Sequence, residues 1–376
     1  MKRDEHHEVF LSSVEEIYEH LSRYGSLDHC TIQSVELAGL ELAWDQLTCT
    51  HLTLIGCDLP EWLESYLRKK DVVIFPGVAS IPYNPFRSTL YSWQELMAES
   101  PSGIYGSWDE EVYAHFGQNR FNPGLREALY QRIHDHAMDE ALRRLLKFDA
   151  QGMTAQKAVG IMGGHSTLRS DPYYSLTAET ARQLSEAGYL VVSGGGPGIM
   201  EAANLGAYFG NRSSKELAEA ISHLSQAPSY QDAAFRIRAE EVLRRYPGGV
   251  ENLAIPTWFY GHEPSNLFAS AIAKYFSNSI REDNLLAISL YGVVFAPGSA
   301  GTTQEIFQDA AQNHYGTYGY ISPMVFLGTQ RYGNQTGLFP LLQKLAENRR
   351  YQKMLFLSDD PEQVVMFLKS HPPFSK

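Results

Sequence analysis

From Lys157 onward, short apolar runs alternate with longer amphipathic segments, and this alternation is the feature that most limits the fold. The apolar runs are nearly continuous, which is typical of parallel strands whose two faces are both covered by helices. Strands that alternate with helices form a parallel sheet with right-handed crossovers. The predicted strands are Lys157–Gly163, Tyr189–Gly194, Asn252–Pro256, Tyr291–Ala296, Pro323–Gly328 and Lys353–Leu357.

Amphipathic segments between these runs predict the helices that connect the strands. They are Tyr174–Ala187, Ile199–Phe209, Lys215–Leu224, Gln231–Tyr246, Ser265–Ser279, Thr302–His314, Gly337–Asn348 and Pro361–Ser370. The fold class that follows is α/β, a Rossmann-like parallel sheet with helices on both faces. The helix from Ser265, continued to residue 283, is apolar enough to serve both the core and a partner. A homodimer or higher homo-oligomer is therefore expected.

The first 150 residues differ in pattern and form an N-terminal α/β extension. Helical spacing covers Val9–Tyr24 and Pro123–Lys147, and Asp71–Pro76 is a predicted buried strand. Apolar side chains also recur every five residues, at Ile32, Leu37, Leu42, Leu47, Leu52 and Cys57. That period fits either a short pentapeptide-like β strip or ordinary strands whose leucines fall five apart by chance.

This change of pattern predicts a division of the chain into three parts. Residues 1–150 form an accessory domain, and residues 151–335 form the Rossmann-like core. Residues 336–376 add a C-terminal strand and helices that complete the core.

Charge and composition exclude several classes of partner. The net charge of −12 argues against nucleic acid or an anionic membrane surface, since both require basic surface. No apolar signal segment begins the chain and no run is long enough to span a membrane, so we expect a cytoplasmic protein. Cys30, Cys49 and Cys57 form no C-x-x-C pair, and neither a metal site nor a cofactor is predicted.

Three predicted strands end in glycine-rich loops, which are Val159-Gly-Ile-Met-Gly-Gly-His-Ser166, Val192-Ser-Gly-Gly-Gly-Pro-Gly-Ile-Met-Glu201 and Phe295-Ala-Pro-Gly-Ser-Ala-Gly-Thr-Thr-Gln-Glu305. Ligands of open α/β sheets bind at the carboxyl ends of strands, where such loops converge. Glycine permits positive φ and close backbone approach, and a helix start offers free N–H groups and the positive end of its dipole. One such loop is also what a tight turn requires, but three on one sheet predict a ligand site.

The third loop, Pro297–Thr303, is the predicted phosphate site, because two threonine hydroxyls add to its backbone donors. The full set of predicted phosphate- and nucleotide-binding residues is Gly164, His165, Ser166, Gly194, Gly195, Gly196, Gly198, Met200, Gly298, Ser299, Ala300, Gly301, Thr302 and Thr303.

The segments Gly194-Gly-Gly-Pro-Gly-Ile-Met-Glu201 and Pro297-Gly-Ser-Ala-Gly-Thr-Thr-Gln-Glu305 together resemble the Lonely Guy family of nucleotide phosphoribohydrolases, many of which were misnamed lysine decarboxylases. The resemblance covers about residues 155–330, and residues 1–150 resemble at most the extended bacterial branch. It implies hydrolysis of the N-glycosidic bond of a nucleoside 5′-monophosphate to free base and ribose 5-phosphate. Ser299 stands where the family has a second glycine.

The resemblance also implies a catalytic pair. Glu305 matches the family's glutamate and would stabilise the positive charge that develops on the ribose, or orient a water. Arg281 is the candidate for the family's arginine and would hold the phosphate or the ribose hydroxyls, although it lies one residue out of the usual spacing and lacks the adjoining lysine. Each residue also has a structural interpretation: Glu305 as a carboxylate favoured by the helix dipole, and Arg281 as a surface ion pair with Glu282 or Asp283.

Two alternatives stay open at the level of sequence. Trp258 and Tyr260 fit either a wall on which the base stacks or contacts within the core or a dimer. The phosphate loop also resembles that of molybdenum-cofactor carriers, so non-catalytic nucleotide or cofactor binding is the alternative to hydrolysis. Pyridoxal phosphate is not expected, because Lys157, Lys215 and Lys274 all lie outside the glycine-rich loops.

Overall fold

The computed structural model describes residues 8–78, 80–148, 154, 156–261 and 263–376. These residues form two compact units. Unit 1 comprises the described residues of Met1–Leu90 and Gly117–Met153, and unit 2 comprises those of Tyr91–Phe116 and Thr154–Lys376.

The units differ from the predicted division at one segment. Residues 91–116 were assigned to the accessory domain, whereas they belong to unit 2, where Tyr91 and Ile272 exchange two backbone hydrogen bonds of 2.9 Å. Residues 336–376 lie in unit 2 with the core. The predicted boundary at residue 150 lies outside the described residues.

Unit 1 contains a four-stranded parallel sheet in the order β1-β2-β3-β4. Its strands are β1 (Val9–Leu11), β2 (Cys30–Gln33), β3 (Thr53–Ile55) and β4 (Val73–Phe75). The helices up to residue 148 are α1 (Val14–Tyr24), α2 (Glu61–Arg68), α3 (Trp93–Leu96), α4 (Trp108–Asn119) and α5 (Leu125–Leu146), of which α3 and most of α4 belong to unit 2. The helix predicted from Val9 begins later because Val9 pairs with Cys30, and Ser13 caps α1 by accepting a hydrogen bond from the Glu16 amide.

The five-residue period marks side chains that point into the core of unit 1. Ile32, Leu37, Leu52 and Cys57 are buried in one cluster, with Leu42 and Leu47 packed against it. Ile32 on β2 lies beside Leu54 on β3, so the intervening chain makes a single coil and returns to the same sheet. Short ordinary strands therefore flank one coil of inward-facing leucines, and the period reflects that coil.

Unit 2 contains a seven-stranded sheet in the order β12-β11-β9-β5-β6-β7-β8, and all its neighbouring strands run parallel. Its strands are β5 (Ala158–Met162), β6 (Leu190–Ser193), β7 (Leu253–Ala254), β8 (Ala271–Ile272), β9 (Val293–Phe295), β11 (Met324–Leu327) and β12 (Leu355–Ser358). A separate antiparallel pair joins β10 (Tyr320–Ile321) to β13 (Phe374–Ser375). All five residues of β5 are buried, as expected for a central strand.

Helices flank this sheet, which confirms the predicted Rossmann-like α/β fold. They are α6 (Pro172–Glu186), α7 (Ile199–Tyr208), α8 (Ser214–Leu224), α9 (Phe235–Arg245), α10 (Asn278–Ile288), α11 (Ala300–Tyr315), α12 (Leu338–Leu345) and α13 (Pro361–Ser370). A π-helical turn covers Gln330–Gln335 and a 3-10 turn covers Arg350–Met354. Over the part of the chain that the structure describes, we find no helix of the length and apolarity that crossing a membrane requires.

The predicted helix Ser265–Ser279 is wrong. This segment contains β8, and helix begins only at Asn278, because its backbone pairs with β7 and the chain beyond it: the Ala273 amide donates to Ala254 and the Tyr275 amide to Pro256. The large apolar side chains of this segment, which were the reason to expect a partner, are all buried within unit 2, namely Leu267, Phe268, Ile272, Tyr275 and Phe276. These side chains therefore give no support to a homo-oligomer, which stays a prediction.

A buried ion pair connects α4 to the segment after β8. Asp109 accepts hydrogen bonds from Lys274 Nζ and from Trp258 Nε1, each over 2.8 Å. The exposed fractions of Asp109 and Lys274 are 0% and 1%. Desolvation makes such a pair only weakly stabilising overall, whereas removing one partner leaves a buried charge without its counter-charge. Residues 91–116 are thus held to unit 2 by an interaction that is costly to break.

Replacing Asp109 by asparagine should destabilise the protein by about 3–5 kcal/mol, because the buried Lys274 side chain would be left without its counter-charge. The matched control is Glu99→Gln, which removes one negative charge from an exposed position of the same segment. The free energies of unfolding, measured in urea, should differ by that amount. Equal values for the two variants would contradict the assigned role of the ion pair.

Candidate functional site

The carboxyl ends of β5 and β9 are where the topology places a ligand crevice. The two strands are neighbours, yet the chain proceeds from β5 toward β6 and from β9 toward β11, in opposite directions. Connections that diverge from adjacent parallel strands open a crevice beyond their carboxyl ends. The loops that follow these strands touch here, since the Gly164 amide donates to the Pro297 carbonyl over 3.0 Å. The first and third glycine-rich loops therefore meet at the switch in strand order.

The second loop joins them through Gly198. The Ile199 amide donates to the Gly164 carbonyl over 3.0 Å, which brings the start of α7 against the first loop. Gly198 has φ +68, and a Cβ atom there would lie 2.5 Å from the Gly164 oxygen and 2.6 Å from the His165 oxygen. Only glycine fits both this dihedral angle and this space. All three predicted loops thus converge around Gly164.

The predicted phosphate loop leads directly into α11. Ser299 is the N-cap residue and no side chain caps the helix, so the amides of the first turn have no partner within the helix. Ser299, Ala300 and Gly301 are exposed. Thr302 is buried against Gly298, while the Thr303 hydroxyl donates to the Ser299 carbonyl over 3.0 Å. An open helix N-terminus of this kind can bind an anion through backbone donors.

Arg281 and Glu305 lie together. Nη1 of Arg281 is 3.4 Å from Oε1 of Glu305, and the two side chains are only 9% and 12% exposed. Nε of Arg281 also donates to the Ile255 carbonyl over 2.7 Å, at the end of β7. A Cβ atom on Gly194 would collide with Nη2 of Arg281, so the guanidinium packs directly against the second loop. The partner predicted for Arg281 from sequence, Glu282 or Asp283, is replaced by Glu305.

Glu305 has an unusual electrostatic environment. Burial raises the pKa of its carboxyl to about 7, the nearby Arg281 guanidinium lowers it, and the Glu282 carboxylate raises it. A carboxyl whose pKa is near neutral can hold or release a proton at physiological pH. Strongly shifted carboxyls of this kind are common at functional sites, although structural ion-pair networks shift pKa values too.

The Glu263 carboxylate lies beside both the first and the second glycine-rich loops. Nδ1 of His165 is 3.5 Å from Oε1 of Glu263, and a Cβ atom on Gly196 would lie 3.1 Å from the other oxygen of that carboxylate. The Met200 side chain packs against Gly194 and Gly196. Negative charge at this point disfavours phosphate beside Gly194–Gly196, which leaves the loop before α11 as the better anion site. Ser166, at the end of the first loop, is exposed.

The aromatic pair after β7 divides into two roles. Trp258 is 1% exposed and stacks on Phe276 with ring centroids 4.6 Å apart, so it belongs to the core. Tyr260 is 62% exposed, and its hydroxyl accepts a hydrogen bond of 2.9 Å from Asn278 at the start of α10. Of the two aromatic residues, only Tyr260 is exposed enough for a base to stack on its ring. His262, in the same segment, lies outside the described residues.

Sequence reasoning missed a polar network beside the Arg281–Glu305 pair. Asn278 donates to Oε1 of Glu282 over 2.7 Å, and Gln304 donates to Oε2 of Glu282 over 2.7 Å. It also missed Arg331, whose Nη2 donates to the Gly298 carbonyl over 2.8 Å. No sequence motif marks the polar network or Arg331, because their contacts join segments that are distant in sequence. The network joins α10 to α11, and Arg331 joins the π-helical turn to the phosphate loop.

A cavity of about 210 Å3 adjoins the first two loops. His165 and Gly198 line it on one side, and Tyr230 lines it from the segment before α9. Arg169, also in its wall, is bound bidentately by the buried Glu201 and is therefore structural. Over the ranges that the structure describes, we find no cluster of three or more histidine, cysteine, aspartate or glutamate side chains placed to hold a metal ion.

Comparison with known proteins adds likenesses of fold. No protein-family model matches the chain, and no curated protein matches it. The Moco carrier protein from Chlamydomonas reinhardtii aligns with 57% of this chain and 96% of its own, with 15% identity and a TM-score of 0.36. The molybdenum cofactor binding protein from Rippkaea orientalis aligns with 58% of this chain and 98% of its own, with 15% identity and a TM-score of 0.35.

A structural-genomics target, TM1055, aligns with 57% of this chain and 99% of its own, with 18% identity and a TM-score of 0.35. Scores below 0.5 establish neither a shared ligand nor a shared reaction. The class of this protein is set by its own topology, a Rossmann-like α/β fold, and its function has to be argued from its own side chains.

Asp309 lies one turn beyond Glu305 on α11 and is only 4% exposed. Its Oδ1 accepts a hydrogen bond of 3.3 Å from Asn313, and within the described residues its Oδ2 has no hydrogen-bond partner. Burial raises the pKa of this carboxyl to about 8. The folded protein therefore keeps Asp309 largely protonated at neutral pH.

Replacing Asp309 by asparagine should remove part of the pH dependence of stability. The folded state holds this proton up to about pH 8, whereas an unfolded chain releases it near the ordinary pKa of 3.8. Between these values the wild-type free energy of unfolding falls as pH rises, by about 1.4 kcal/mol per pH unit from this group. Asparagine has no proton to lose, so Asp309→Asn should flatten that slope.

Urea unfolding at several pH values in this range measures the slope directly. The exposed Asp45→Asn variant is the control and should retain the wild-type slope. Parallel curves for wild type and Asp309→Asn would show that Asp309 is ionised in the folded protein.

Proposed function

We propose that this protein binds a nucleoside 5′-monophosphate at the carboxyl edge of the unit 2 sheet and hydrolyses its N-glycosidic bond. The observation that carries the proposal is the placement of Glu305 on the same helix whose open N-terminus forms the phosphate loop. From Ala300 to Glu305 the helix rises by ~7.5 Å, a distance that a ribose 5-phosphate can bridge. A phosphate at the loop then places the sugar near the buried Arg281–Glu305 pair.

The chemistry follows from the charge that develops during cleavage. As the bond between C1′ and the base breaks, the bonding electrons leave with the base and the ribose ring becomes positively charged. The Glu305 carboxylate stabilises that charge and orients a water, whose oxygen bonds to C1′ while its proton leaves toward the base or the solvent. The products are the free base and ribose 5-phosphate. A buried carboxylate stabilises such a charge better than a hydrated one.

Arg281 acts mainly through Glu305. Its guanidinium is engaged by the Glu305 carboxylate and by the Ile255 carbonyl, so it fixes the position of the carboxylate and moderates its pKa. In the proposed complex, the remaining donors of this side chain bind the ribose hydroxyls. Tyr260, the exposed aromatic ring next to Asn278, provides the surface on which the base stacks.

Glu305→Gln separates this proposal from a carrier that binds without cleaving. The amide keeps the size of the side chain but has no charge, so turnover of a panel of nucleoside 5′-monophosphates should fall by at least about 100-fold, while nucleotide affinity should change by less than about tenfold. Free base and ribose 5-phosphate are detected by chromatography with mass detection. The control, Glu347→Gln, removes the same charge from an exposed position and should leave turnover unchanged.

The pH profile gives a second readout in the same assay. If the ionised Glu305 is the active form, kcat/KM of the wild type should rise as pH increases through about 7. Full activity in Glu305→Gln would contradict the mechanism. Nucleotide binding by the wild type with no release of base would instead support the non-catalytic carrier.

A further inference from the structure

The proposed phosphate site lacks a full positive charge if it consists of the loop alone. Backbone amides at the start of α11 supply hydrogen-bond donors and the partial charge of the helix dipole. Arg281 cannot supply the remainder easily, because its guanidinium is bound to Glu305 and to the Ile255 carbonyl. A phosphate monoester carries nearly two negative charges, and a partly buried anion is bound well where a guanidinium pairs with it.

Arg331 stands at the phosphate loop with donors to spare. Its Nη2 donates to the Gly298 carbonyl over 2.8 Å, which places the guanidinium beside the loop that leads into α11. A guanidinium has five N–H donors, and this is the one hydrogen bond that the structure gives it among the described residues. The side chain is half-buried, so it is held near the loop yet open to a ligand.

The π-helical turn Gln330–Gln335 holds this arginine in place. The Tyr332 hydroxyl donates to the carbonyl of Ala296, the residue after β9, over 2.7 Å. At the start of the turn, the Thr329 amide donates to Asp359 over 2.9 Å. Gly328 has φ +130, and a Cβ atom there would lie 3.3 Å from the Pro297 ring. Hydrogen bonds to Ala296 and to Asp359 thus hold the turn on both sides of Arg331, and π-helical turns are frequent at functional sites.

We propose that Arg331 is a binding residue for the phosphate and makes the site selective for phosphorylated over unphosphorylated ligands. The inference rests on the proposed function, because it assumes that the loop Pro297–Thr303 receives a phosphate. Arg331 adds a full positive charge to the α11 amides around the anion. Its planar fork donates two parallel hydrogen bonds to phosphate oxygens, a geometry that lysine cannot reproduce.

Calorimetric titration of the full chain with ribose 5-phosphate, and with ribose as the unphosphorylated reference, tests this role. Arg331→Gln should weaken ribose 5-phosphate binding by roughly tenfold to hundredfold, the loss expected for hydrogen bonds to a charged group. Arg331→Lys keeps the charge but cannot donate two parallel hydrogen bonds, so its affinity should lie between those of the wild type and Arg331→Gln. The control, Arg349→Gln, removes an exposed arginine of the same unit and should bind as the wild type does.

The order of the variants separates binding from a merely structural role. Glutamine can still donate to the Gly298 carbonyl, so a structural role predicts similar affinities for Arg331→Gln and Arg331→Lys. Wild-type affinity in Arg331→Gln, or equal affinities in the two variants, would overturn the proposal for Arg331 alone. If the wild type binds ribose 5-phosphate no better than ribose, both this inference and the proposed function fail.

Discussion

The close approach of backbone at Gly164 is the constraint on which the candidate site depends. Its amide contacts the third loop at Pro297, and its carbonyl contacts the second loop at Ile199. A side chain at Gly198 would push the first two loops apart, because its Cβ atom would lie 2.5 Å from the Gly164 oxygen, whereas one at Gly164 would fit tightly, 3.3 Å from the backbone of Pro297 and Gly298. The reversal of strand order between β5 and β9 brings the loops to one edge, and glycine allows them to touch. Helix N-termini and buried side chains are then aimed at a common crevice.

Short ion pairs neutralise two buried carboxylates of unit 2, whereas two buried carboxyls on α11 lack such close partners. Arg169 with Glu201 and Lys274 with Asp109 are buried pairs with short contacts, and each fixes segments distant in sequence. Glu305 has a longer contact of 3.4 Å with Arg281, and among the residues that the structure describes Asp309 forms no ion pair. Their pKa values are raised to about 7 and about 8 by burial. Strongly shifted carboxyls are common at functional sites and in structural networks alike, and Glu305 is the one that the proposed function uses.

Sequence patterns sufficed where local and tertiary preferences agree. The six strands predicted from Lys157 onward are all present. They could be recognised because buried parallel strands are apolar throughout. The glycine-rich loops could be recognised because a tight turn from a strand into a helix requires glycine. The helix predicted from Ser265 failed because pairing with β7 and Tyr91 outweighed its helical spacing. Contacts between distant segments had no local signal. Lys274 with Asp109, and Arg331 with Gly298, depend on topology rather than on neighbouring residues.

A crystal structure of the full chain with ribose 5-phosphate tests the central claim most directly. The account predicts the phosphate within hydrogen-bonding distance of the amides that begin α11, and C1 of the sugar facing Glu305. It would be contradicted by a phosphate bound elsewhere, such as in the cavity between His165 and Tyr230, with the loop Pro297–Thr303 free of ligand.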